Sequence, residues 1–281
     1  MPSRYPAPLL VGTQLTITRG QLLQFPSQPL GPGVLVPYEV NAIRMSAYPS
    51  INANFDSDLR GFLKWQFYMG THPLTDSYIP MWNLQPNRQR LTNLGGYYEW
   101  RFARPILLPP GGRIDAKVQL QANTPNVGPT PTVTVALAYA GRLRHDLSRM
   151  PRTIEVPFCS CWDTTVTGAA PGSDPLSLRN PLQADITISQ FVGRIQSDVT
   201  GSDATNAVFG QTLQIFDPRG VAIHQGGTIQ FHALFPTDTA SFPYTGILPM
   251  NTHFMVRLDT PPSSTDRVMI SYLGSRYVQN P

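Results

Sequence analysis

The chain has 281 residues, with 29 prolines, 14% charged and 41% apolar residues, and a formal net charge of +4. Ordinary soluble domains carry about 25% charged residues and about 5% proline, so charge-driven disorder and a helical bundle rich in Ala, Glu, Lys and Leu are both excluded. Thr, Ser, Gln, Asn and Pro replace the missing charge, which suits an all-β protein whose surface can be buried against other subunits with few ions to desolvate.

Along the chain, Met1–Leu10 carries Pro2, Pro6 and Pro8 and no strand alternation. It is expected to stay out of its own subunit's sheets and to contact another chain or an underlying layer. Met1–Gly20 lacks the apolar core of a signal peptide, and no later segment approaches ~18 continuous apolar residues, so neither export by that route nor a membrane-spanning helix is expected. Short alternating stretches predict strands at Gln14–Thr18, Glu39–Met45, Leu63–Tyr68, Tyr98–Phe102, Ile114–Leu120 and Thr132–Tyr139. A second set follows at Thr153–Phe158, Gln183–Phe191, Thr212–Phe216, Thr228–Leu234, His253–Leu258 and Arg267–Leu273. Helix candidates are confined to Asp56–Leu63 and Arg142–Arg149. Long loops are expected at Ala53–Gly61, Tyr68–Gly96, Ala169–Arg179 and Asp198–Gly210, and Pro109–Gly112 reads as a tight turn. The C-terminal Val278–Pro281 is short and polar and is expected to be free.

The two sets of strands repeat one another. Pro37–Tyr48 aligns with Pro181–Phe191 across one small gap, and Trp65–Tyr68 aligns with Leu213–Phe216. Ile106–Pro109 matches Gly246–Pro249, and Val133–Arg142 matches Val268–Arg276, which places Tyr139 opposite Tyr272. Each half then has the size of an eight-stranded jelly roll, two antiparallel sheets packed face to face. The predicted fold is all-β, two tandem jelly rolls. The first, with its N-terminal arm, spans 1–145 and the second 146–281, with the break in the Arg-rich stretch Arg142–Arg152. A single sandwich with oversized loops is the competing fold.

On these repeats, the chain resembles the double jelly-roll major capsid proteins of tailless icosahedral viruses of prokaryotes, over Leu10–Tyr277. The resemblance implies a structural virion protein: homotrimers forming pseudo-hexagonal capsomers with lateral capsomer contacts, assembled in the host cytoplasm into a self-assembling shell. As further partners it implies penton or minor capsid proteins, and an internal membrane or packaged genome beneath the shell. Alternatives are a tailed-phage (bacteriophage) decoration or connector protein, or a carbohydrate- or receptor-binding spike or fibre.

Chemical signals are sparse, and no catalytic, cofactor-binding or metal residue is assigned; no cofactor is expected. Cys159 and Cys161 share a strand face at a spacing that would strain a disulfide, so both are expected as reduced thiols. His224 and His232 flank the turn Gln225–Gly227 but lack the nearby carboxylates of a metal site, the nearest acids being Asp217 and Asp238; His72, His145 and His253 stand apart. Asp56 and Asp58 read as loop or cap acids. Gly-x-Ser-x-Gly, P-loop and His-Glu-x-x-His motifs are missing. All basic residues except Lys64 and Lys117 are Arg, whose fork suits protein contacts. Arg88, Arg90, Arg101, Arg104 and Arg113 are candidates for contacts with neighbours, with solvated loop arginines as the alternative. Tyr97, Tyr98, Trp100 and Trp82 fit either core packing or sugar stacking.

Overall fold

The computed structural model describes residues 8–25, 36–49, 62–84, 98–122, 132–147, 149–163, 176–197, 211–224, 227–236, 241–259 and 266–279. The first half holds β1 (Pro8–Thr18), β2 (Leu22–Gln24), β3 (Tyr38–Pro49), β4 (Leu63–Met69), β5 (His72–Pro73), β6 (Ile79–Pro80), β7 (Tyr98–Leu108), β8 (Ile114–Leu120) and β9 (Thr132–Leu143). The second holds β10 (Thr153–Asp163), β11 (Leu176–Arg179), β12 (Ile186–Ser197), β13 (Thr212–Phe216), β14 (Ile229–Gln230), β15 (Ser241–Leu248), β16 (His253–Leu258) and β17 (Asp266–Gln279). A 3-10 turn at Met81–Leu84 and a single-turn helix α1 at Phe231–Leu234 complete the described elements.

Alternation sets the strands. In β4 and β8 buried and half-buried residues alternate without a break, so Leu63, Trp65, Phe67 and Met69 stand beside Leu120, Val118, Ala116 and Ile114 on the inner face of one sheet. The sheets of the first half run β1-β9-β3-β7 and β2-β8-β4-β5, with β6 also on β4. Those of the second run β10-β17-β12-β15 and β11-β16-β13-β14. The two orders are the same jelly-roll path, traced twice.

The correspondence reaches single residues. β3 and β12 each carry a bulge, at Asn41 and Ser189, and opposite each lies a glycine of the last strand, Gly141 paired with Val40 and Gly274 with Ile188. A Cβ on Gly141 would lie 1.8 Å from the Glu39 carbonyl oxygen, and one on Gly274 would lie 2.5 Å from that of Thr187. Two residues earlier stand the tyrosines. Tyr139 pairs with Ile43 and donates its hydroxyl to the Ile114 carbonyl at 3.0 Å; Tyr272 pairs with Phe191 and donates to that of Arg179 at 2.8 Å. Burial raises both phenol pKa values. Tyr139 and Tyr272 are therefore equivalent, as the repeat predicts. The register of β12 differs from the sequence alignment, because Tyr38 and not Pro37 begins the match, opposite Ile186. Leu182–Asp185 forms a bent turn there, held by the Asn180 amide donating to the Ala184 and Leu248 carbonyls.

Several expectations are corrected. Pro8–Leu10 belongs to β1, paired with Arg142, Gly141 and Ala140; proline is accommodated because it opens an edge strand. Met1–Ala7 lies outside the described residues. At the other end β17 runs to Gln279, with Val278 paired to Ile154 and buried in the first half's core, while Asn280 and Pro281 lie outside the described residues. Arg142–Arg149 is not helical: β9 continues to Leu143 and a turn follows, Leu147 N–H donating to the Arg144 carbonyl. Leu63 begins β4 and Phe62 lies in the turn before it, while Asp56–Gly61 of the other helix candidate lies outside the described residues. Within Thr228–Leu234 only Ile229–Gln230 is strand. Phe231, Leu234 and Phe235 then recur at helical spacing and enter the core, where a Cβ on Gly193 would meet the Phe235 ring at 2.3 Å. The expected loops at Tyr68–Gly96 and Ala169–Arg179 contain β5, β6 and β11; Ala53–Gly61 and Asp198–Gly210 lie outside the described residues.

Because both glycines sit against backbone, Gly141→Ala and Gly274→Ala should each destabilise the fold by about 1–3 kcal/mol. Urea unfolding of each variant checks this, and unchanged midpoints would mean that the bulges relax freely.

Candidate functional site

No described group of side chains converges on a reaction centre. Among the described residues no three of His, Cys, Asp and Glu gather as a metal would need, and no helix is long and apolar enough to cross a membrane. What the fold builds instead is a set of contact surfaces, beginning with the seam between its halves.

The seam lies on the outer face of the β10-β17-β12-β15 sheet. Val192, Met269, Leu273 and Cys159 leave this sheet on the side away from their own sandwich and join the first half's core, while Val268, Ile270, Tyr272 and Phe191 fill the second. The Met81–Leu84 turn packs on β12 and β17. A parallel bridge joins Thr75 to Cys159: Cys159 N–H donates to the Leu74 carbonyl at 3.0 Å and Asp76 N–H to the Cys159 carbonyl at 2.9 Å. The Ser160 hydroxyl donates to the Asp76 carboxylate at 3.0 Å, partly offsetting the burial that raises its pKa.

Arginines finish the seam. Arg267, fully buried, donates to the Gln121 side chain at 2.6 Å. Arg276 donates to the Pro73 carbonyl at 3.0 Å and lies 5.7 Å from the centre of the Phe158 ring; its pKa is lowered by burial. Arg104 pairs with Glu155 at 2.9 Å, and Glu155 also accepts from the Ser275 hydroxyl at 2.5 Å. A second cluster clasps the chain as it leaves β9. The buried Glu39 carboxylate accepts from Arg142 and from Arg144 (2.7 Å), and Arg144 grips Asp146 through two bonds of 2.8 and 2.7 Å.

The residues singled out by sequence scatter over this framework. Cys159 is buried and Cys161 half-buried on one face, with no disulfide between them, and burial pushes the Cys159 thiol well up. His224 and His232 lie on either side of Gln225 and Gly226, which are outside the described residues. His72 is in β5, His253 in β16 and His145 in the turn after β9. Arg101, Arg104 and Arg113 each pair within the chain, with Glu99 (2.7 Å), Glu155 (2.9 Å) and Asp115 (3.4 Å). Arg88 and Arg90 lie outside the described residues, as do Tyr97, Asp56 and Asp58. Trp100 is 3% exposed and packs edge-on to Phe102 at 5.2 Å, so it offers no sugar-stacking surface. The seam's Asp76, Glu155, Ser160 and Arg276 went unmarked in the sequence. Their one signal is β17, whose buried residues run unbroken from Arg267 to Leu273.

The outer face of the first half's β1-β9-β3-β7 sheet is different. Gly12, Gln14, Arg44, Ser46, Ala136 and Ala138 line an open hollow of about 430 Å³ there.

No protein-family model matches the chain, and no curated protein matches its sequence. Solved structures do resemble it, over nearly its whole length. The STIV MCP in its crystal structure is 14% identical with a TM-score of 0.56, covering 96% of this chain and 96% of that one. A chain in the atomic structure of Sulfolobus Turreted Icosahedral Virus is 14% identical with a TM-score of 0.53, over 97% and 91%. PBCV-1 VP54, fitted into the virophage Sputnik, is 8% identical with a TM-score of 0.52, over 100% and 96%. The chain has the double jelly-roll fold. At these identities the likeness is one of fold, and it agrees with the strand orders in both halves.

Two predictions follow from the geometry. Cys159→Ser with Cys161→Ser should cost about 1–3 kcal/mol through the hydroxyl left at the buried position, and the denatured wild-type protein should titrate two thiols; a zinc-bound or thiol-silent protein would contradict this. The Asp146 carboxyl is held down to about 2, against an ordinary 3.8, first by its hydrogen bonds from Arg144. A depressed carboxylate stabilises only while ionised, so its contribution is whole above about pH 4 and is lost as pH falls toward 2. Hydrogen exchange at Arg144–Leu147 should accelerate over that window, and Arg144→Gln should remove the pH dependence.

Proposed function

We propose that the chain is a major capsid protein, a structural subunit of an icosahedral virus shell that works without catalysis. The supporting observation is the jelly-roll path traced twice, in the same strand order, in a chain that matches capsid proteins nearly end to end in both directions. Two units, 1–145 and 146–281, serve as adjacent building blocks of one capsomer face, and three chains make the capsomer. Neutral polar groups and proline-stiffened loops limit the desolvation and ordering costs of many weak lateral contacts. Placement in the virion capsid follows, beside penton or minor capsid proteins and above a membrane or the packaged genome.

Prolines at sheet edges support the same reading. In the two sheets that hold the last strands, each edge strand carries one: Pro8 in β1, Pro105 in β7, Pro157 in β10 and Pro243 in β15. The interior strands have none except Pro49 at the last residue of β3. Proline on an edge blocks indiscriminate strand addition, a hazard at the subunit concentrations of a growing shell.

Purified protein should form discrete oligomers, and under assembly conditions closed particles, seen by light scattering and electron microscopy. A protein that stays monomeric at every concentration and ionic strength would overturn the proposal. Removing Met1–Ala7, which stops short of β1, should leave thermal unfolding unchanged and lower particle yield; full yield would leave the N-terminal arm without an assembly role.

A further inference from the structure

The duplication assigns a partner to each half's outer surfaces, and one pair of surfaces is used inside the chain while its twin is not. In the first half β6 pairs with the start of β4, Ile79 with Trp65 and Pro80 with Lys64, and leads into the Met81–Leu84 turn. In the second half β14 pairs with the start of β13, Ile229 with Leu213 and Gln230 with Thr212, and leads into α1. These are counterparts. The first turn packs on the outer face of the β10-β17-β12-β15 sheet, whereas Gln230, Ala233 and Pro236 of the second are exposed.

The receiving faces correspond in the same way. By register, Met269, Val192 and Cys161 of the covered face stand where Ala136, Arg44 and Gly12 stand on the first half's sheet. There the bare backbone of Gly12 and the methyl groups of Ala136 and Ala138 floor the open hollow beside Arg44 and Gln14. Large apolar groups mark the permanently buried face, and small or polar groups mark its open twin. Prolines on the edge strands of both sheets disfavour strand-to-strand joining, which leaves faces and turns for contact.

We propose that a second copy of this chain seats its Gln230–Pro236 turn on the outer face of β1, β9 and β3, in the hollow floored by Gly12, Ala136 and Ala138, repeating between chains the contact that Met81–Leu84 makes within one. Such a contact is head-to-tail: every copy offers one turn and one face, so copies propagate into a ring or an open chain. The inference deepens the shell reading by naming the partner and the surfaces through which it is met.

Two full-length variants test it, Ala138→Glu on the face and Ala233→Glu on the turn, each first checked for wild-type thermal unfolding and circular dichroism. Ala233 is exposed and Ala138 is partly exposed at the open hollow, so folding should survive; should either fail that check, Ser46→Glu and Gln230→Glu replace them. By native mass spectrometry and light scattering, each variant alone should fall to the monomer mass under conditions where wild type assembles. An equimolar mixture should stop at twice the monomer mass with one chain of each variant, because one intact turn then meets one intact face and the other pair is doubly blocked. Variants that assemble like wild type, or a mixture that stays monomeric or grows past the dimer, would overturn this pairing of surfaces while the shell reading stands. A monomeric wild type would instead remove the shell reading.

Discussion

Around β17 and the adjoining parts of β10 and β12, the β10-β17-β12-β15 sheet has no solvent face, and the molecule is organised around that constraint. One side supplies Val268, Ile270, Tyr272 and Phe191 to its own sandwich; the other gives Met269, Leu273, Val192 and Cys159 to the neighbouring one. Burying one such large apolar side chain contributes about 1.5–3 kcal/mol, so the seam holds the halves together through core packing. The same burial traps polar groups, and each needs a partner at the seam. Arg267 finds Gln121 and Arg276 finds the Pro73 carbonyl and the Phe158 ring.

Given that seam, the duplication explains both what the halves share and where they diverge. Shared are the strand order, the bulge facing a glycine, and the tyrosine two residues before it, all features that set the curvature and closure of a sandwich. They belong to the fold and persist in both copies. Divergence falls on outer faces, where the environment differs: β9 alternates between its core and an open side, whereas β17 is buried in both directions from Arg267 to Leu273. A duplicated unit placed next to itself breaks its own symmetry in this way, because only one of two equivalent faces is covered within the chain.

The chain's preference for arginine has a related physical basis. Arg144 holds Glu39 and Asp146 at once and so fixes the direction in which the chain leaves the first sandwich; Glu99 is gripped between Arg44 and Arg101 where β3 meets β7. A guanidinium can serve two acceptors in one plane, which an ammonium does less well. These forks sit where the chain leaves β9, at the seam and, with Arg44 and Glu99, on the outer face beside the hollow. There each guanidinium is already paired within the chain, so that covering it desolvates a neutralised pair and not a lone ion.

The amino-acid sequence alone determined the all-β class, the duplication and much of the strand pattern. Ile114–Leu120, Thr212–Phe216 and His253–Leu258 are strands at the residues where alternation puts them, and Tyr139 and Tyr272 are equivalent as the repeat requires. These segments were legible because each has one face in a core and one less buried, so burial imprints a period of two on the residues. Tertiary structure decided the remainder. Leu22–Gln24 is too short to show a period, Ser241–Leu248 has its alternation interrupted by Pro243 and Gly246, and Phe231–Leu234 is wound into a helix by a core reached through Gly193. The extension of β17 to Gln279 and the seam around Asp76, Ser160 and Arg276 depend on groups far apart in the chain. Local pattern records whether a side chain meets water or protein, and it cannot record which distant segment supplies the protein.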